Sequence, residues 1–107
     1  MLNTEKVLIK LEIKLEKIQK RDIKNTAFVD SDFEELKSLK DVVSFLSENI
    51  SRSNDAPSVA KILDSIYWVL YDMVNRKYDY LVDEEFRDSI KERIGEALEL
   101  IRVEINK

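Results

Sequence analysis

The sequence predicts an all-α fold, an antiparallel bundle of four helices, and three observations carry that expectation. Apolar residues recur at intervals of three and four along nearly the whole chain, the period of one helix face. Breakers are scarce, since the 107 residues include one glycine and one proline. Charged residues make up 37% of the chain and are led by lysine and glutamate, straight side chains that keep rotamer freedom in a helix. A chain of this length buries roughly 60 to 70% of the surface it exposes unfolded, so one domain spanning residues 1–107 is expected.

The first helix is expected over about 4–24. Asn3 is placed to cap it, Leu2 and Val7 to staple its entry, and Leu8, Leu11, Leu15 and Ile18 to form its buried stripe. Residues 9–16 also alternate apolar and polar, as a half-buried strand does. The unbroken run of about 20 residues rich in Leu, Glu and Lys favours the helix.

The second helix is expected over about 32–50. Ser31-Asp32-Phe33-Glu34 has a capping-box pattern, Asp30 and Asp32 add negative charge at the start, and Leu36, Leu39, Val43, Leu46 and Ile50 continue the apolar face. Residues 51–57 have the loop-like composition of the chain and end at Pro57, a residue suited to the first turn of a following helix.

The third helix, expected over about 57–78, is apolar around half its circumference through Val59, Ile62, Leu63, Ile66, Val69, Leu70, Met73 and Val74, which puts it at the centre. No Gly or Pro interrupts residues 78–82, so the last two helices either reverse there or run on with a kink. The fourth is expected over about 84–105. Asp83 caps it, Glu84 and Glu85 fill its first turn, and the stripe runs from Phe86 through Ile90, Ile94, Leu98 and Ile101 to Ile105. Gly95, mid-helix, costs about 1 kcal/mol relative to alanine, which points to a close helix crossing.

The inventory argues down most site chemistry. Without cysteine or histidine there is no thiolate or imidazole for zinc, no disulfide and no histidine base for a hydrolytic triad. Carboxylates can still hold magnesium, and Asp32/Glu35, Glu85/Asp88 and Glu96/Glu99 are acidic pairs three residues apart. That spacing is similar to the acidic pairs on facing helices of helical nucleotide pyrophosphohydrolases. The first two pairs sit where helix starts ordinarily carry acids, so no catalytic residue, metal ligand or cofactor is assigned. No apolar run approaches a membrane span and the start lacks a signal-peptide pattern, so a soluble, cytoplasmic protein is expected. Heavy use of Lys, Glu and Ile matches the compositional drift reported for hyperthermophiles.

What stands out lies on the surface. The net charge of −4 divides unevenly: residues 1–25 carry seven basic and four acidic side chains, the remainder eleven and eighteen. At 100° per residue, Lys6, Lys10, Lys14, Lys17, Arg21 and Lys24 share one sector of the first helix, a candidate phosphate track unless acids of the same chain answer it. Ile9 and Ile13 form a second apolar pair on that helix, suggesting a helix placed between neighbours. Phe45 and Trp68 project from polar sectors, and Tyr67, Tyr71 and Tyr78 extend Trp68 into an aromatic ridge suited to a partner.

The expected function is therefore a non-enzymatic protein–protein interaction module or small assembly subunit, self-associating as a homodimer or binding a partner protein. Its contacts would be Ile9, Ile13, Phe45, Tyr67, Trp68 and Tyr71. A nucleic-acid-binding accessory protein using the lysine stripe is the alternative, and a carboxylate magnesium enzyme the lesser one.

Overall fold

The alternation of residues 9–16 does not make a strand: leucine, lysine and glutamate carry the segment into a helix, in line with their propensities. The computed structural model describes residues 4–20, 30–53 and 57–106, and every regular element within them is helical. These are α1 (Thr4–Lys20), α2 (Asp30–Ser53), α3 (Pro57–Asn75), α4 (Lys77–Val82) and α5 (Glu84–Ile105). The expected cap at Asn3, the Leu2 staple, and Arg21 and Lys24 of the basic stripe lie outside the described residues.

Three boundaries differ from expectation. α2 begins at Asp30, so Ser31 sits within its first turn and cannot be the N-cap. Asp32 in that turn complements the helix dipole. α2 also runs on through Ser51-Arg52-Ser53, because nothing there forbids helix, and only 54–56 separate it from Pro57 at the start of α3.

The third helix stops at Asn75 instead of reaching Tyr78. Arg76 leaves the helical region at φ −112°, ψ 42°, and the six-residue α4 follows. The chain reverses here, as one of the two expectations had it, but does so through about a turn and a half of inserted helix. Tyr80 explains the detour. Its side chain is fully buried, edge-on to Phe33 of α2 with ring centroids 6.5 Å apart.

Polar contacts close the corner from α5. Arg87 donates from Nε to the Tyr80 carbonyl (3.1 Å) and from Nη2 to the Leu81 carbonyl (3.0 Å), satisfying C-terminal acceptors of α4. Asp83 caps α5 as its sequence position suggests, accepting from the Phe86 amide at 3.2 Å. Arg76 lies over the Phe86 ring, 4.0 Å from its centroid, while bonding Asp79 at 2.9 Å.

Buried side chains from all five helices form one apolar cluster, and α3 contributes the most. α3 packs between α2 and α5, and α1 lies against α5. Asp72 meets Arg93 at 2.7 Å and Ser58 meets Glu104 at 3.2 Å, so α3 and α5 run in opposite directions. α1 and α5 are also antiparallel, since Glu12 and Glu16 reach Arg102 whereas Gln19 reaches the Lys91 carbonyl. Gly95 lies at this seam. A Cβ added there would come within 2.9 Å of Gln19 Nε2, the end of a flexible side chain and the one atom within 4 Å among the described residues, so the glycine leaves room for that amide and does not mark a backbone-to-backbone crossing.

Candidate interaction surfaces

Trp68 projects from the outer side of α3 and is 49% exposed. Heptad arithmetic places it opposite Ile62, Ile66, Val69 and Met73, which are buried, so an outward indole follows from the winding of the helix. Tyr67 and Tyr71 hold it edge-on, with ring centroids 5.2 and 5.3 Å from the indole, and lie 6.0 Å from each other. This is the ridge expected from the sequence, with Lys40 of α2 reaching over Tyr71 at 5.6 Å. Tyr78 belongs to α4 and is exposed, so the break at Arg76 takes it off the helix that carries Trp68.

Phe45 is 64% exposed but does not join the ridge. It stands about 140° around α2 from Lys40, the residue that meets Tyr71. Ile9 and Ile13 are exposed as well, at 39% and 50%, so α1 is not enclosed between two neighbours within the chain. The six expected contact residues therefore occupy three separate places: the ridge on α3, Phe45 on α2, and the isoleucine pair on α1.

The basic stripe of α1 is answered in part by the same chain. Lys14, Lys17 and Ile18 line one wall of an open groove whose other wall is α2, through Asp32, Glu34, Glu35, Leu36, Leu39 and Val42. Opposite charges thus face each other across an apolar floor. Lys6 and Lys10 are exposed further along the helix. On its other flank α1 is acidic: Arg102 of α5 bonds Glu12 at 3.1 Å and also bonds Glu16. The bond to Glu16 is the main reason the Arg102 guanidinium holds its proton above the usual arginine value, with Glu12 adding to it against partial desolvation.

The acidic pairs do not converge. Asp32 and Glu35 line the α2 wall of the groove, whereas Glu85/Asp88 and Glu96/Glu99 sit on exposed positions of α5. Among the described residues no three acids gather in a way that would hold a metal ion, and no helix is long and apolar enough to cross a membrane.

Sequence reasoning missed two exposed apolar residues on α5, Leu100 and Val103, both at least half exposed. The signal was available: at 100° per residue Val103 falls about 160° from Ile101, well off the buried stripe. Val42, exposed beside the groove, was likewise passed over. No family model, no curated protein and no solved structure matches this chain.

Proposed function

We propose that this chain is a non-enzymatic protein–protein interaction module that self-associates, built as an antiparallel four-helix bundle whose third rod is broken into α3 and α4. The observation that carries the reading is the preassembled aromatic cluster. Trp68 is half exposed yet gripped by two tyrosine rings, so a partner covering it gains a large apolar area without first ordering the side chain. Ile9 and Ile13 add a second apolar surface on a different helix. Scattered exposed apolar residues are ordinary in a monomer; an indole packed with two phenols on a polar helix face is less so.

Sedimentation equilibrium between roughly 1 and 100 μM, the affinity range of small interfaces, tests the self-association. The expected result is a mass that rises with concentration. A monomer mass throughout removes that part of the reading. The nucleic-acid alternative has weaker support, because the Lys14 and Lys17 portion of the stripe faces Asp32, Glu34 and Glu35. Phosphate binding would require those lysines to exchange an intramolecular field for an external one.

A further inference from the structure

α1 and α5 lie side by side, and the outer face of the pair is divided by charge. On α1, Ile9 and Ile13 are flanked by the exposed Lys20 and by Lys17, which stands at the edge where this face meets the groove toward α2; on α5, Val103 is followed down the helix by the exposed Glu99, Glu96 and Glu92. At 100° per residue each set falls within about 80° of arc, on the side turned away from the core. One rod thus presents isoleucine and lysine, its neighbour valine and glutamate.

We infer that a second copy of this chain docks on this α1–α5 face, with α1 of each copy laid over α5 of the other; the inference rests on the self-association proposed above. The register within one chain dictates the pairing. Arg102 meets Glu12 and Glu16, and Gly95 meets Gln19, so Ile13 is level with Val103, and Lys17 and Lys20 are level with Glu99 and Glu96. A two-fold axis along the helix direction keeps every residue at its own level and exchanges the two rods. It therefore sets isoleucine against valine and lysine against glutamate, twice over, as an isologous interface requires. The other two-fold in the interface plane, across the helices, stacks α1 on α1 with the levels reversed, which sets isoleucine against lysine and, on α5, valine against glutamate.

The size is adequate for a weak specific dimer. The 17 residues of α1 span about 25 Å, and two rods spaced by about 10 Å give a face of about 500 Å² per copy. The resulting total of about 1,000 Å² is at the low end for specific complexes. Opposite charges on the rods then add register and partner choice more than affinity.

Reciprocal charge reversal tests the geometry. One variant carries Lys17→Glu with Lys20→Glu, the other Glu96→Lys with Glu99→Lys, all at exposed positions. Each alone places like charges at both α1–α5 contacts of a dimer, and its self-association is expected to weaken at least tenfold in sedimentation equilibrium. An equimolar mixture restores opposite charges at both contacts, so a mixed dimer is expected at close to wild-type affinity, identified by native mass spectrometry. A wild-type dimer whose variants associate unchanged overturns the α1–α5 placement and leaves self-association standing. Variants that lose association without recovering it when mixed overturn the two-fold pairing. A wild-type chain that stays monomeric overturns this inference together with the self-association reading.

Discussion

The two flanks of α1 make opposite use of the same helix. Toward α5 the helix sends the Gln19 amide across beside Gly95, and its acids are bridged by Arg102. Toward α2 it leaves an open groove in which lysines look across at acids over Ile18, Leu36 and Leu39. Charge complementarity is present on both sides, so charge alone does not decide which seam closes. On the α5 side, side chains bridge the seam directly, Gln19 onto the Lys91 carbonyl and Arg102 onto two glutamates; the groove side has branched and long side chains on both walls.

Truncations on α1 bear on that contrast most strongly. Leu15 is fully buried, and Leu15→Ala is expected to cost about 2–5 kcal/mol in urea denaturation. Ile18, only partly buried and lining the groove, is expected to cost about 1 kcal/mol when cut to alanine. Equal losses at the two sites would mean that the groove flank is packed as tightly as the other, and the comparison would fail.

The seam at Gly95 gives a smaller effect of two signs. Gly95→Ala places a methyl group against the Gln19 amide, which is the end of a flexible side chain and swings aside. Helix propensity then dominates, and the variant is expected to gain up to about 1 kcal/mol. Gly95→Leu overfills the crossing and is expected to lose about 1–3 kcal/mol. Denaturation midpoints of the pair decide it: a leucine that is tolerated like alanine would show that the crossing is loose.

The smallest expected effects are electrostatic. Reversing Lys14 and Lys17 to glutamate lowers stability by less than about 1 kcal/mol, and added salt shrinks the loss. Arg102→Met also destabilises, with the same dependence on salt. Because folding raises the Arg102 proton affinity, its contribution is complete below the unfolded arginine value and is lost only when pH climbs through the higher folded one. Neutral and mildly alkaline melting curves are therefore expected to show the Arg102→Met loss unchanged with pH. A loss that faded between those conditions would place the titrating group elsewhere.

Particular residues mark what could be read in advance. Pro57 at the start of α3, Asp83 as the cap of α5 and the outward Trp68 all follow from local rules. α4 did not. Nothing in Arg76-Lys77-Tyr78-Asp79 announces a break, since the residues that make it worthwhile are Phe33, 47 positions before Tyr80, and Arg87 on the next helix. Val103 was legible as a residue off the stripe but became informative only with α1 alongside its helix.

The chain alone determined its helices, their buried faces and the side chains left outside, because each depends on residues three or four apart on one rod. Only the tertiary structure decided which rods lie together, where the third one breaks, and which flank of α1 closes. Those outcomes depend on side chains far apart in sequence fitting against one another, and no local period encodes that fit.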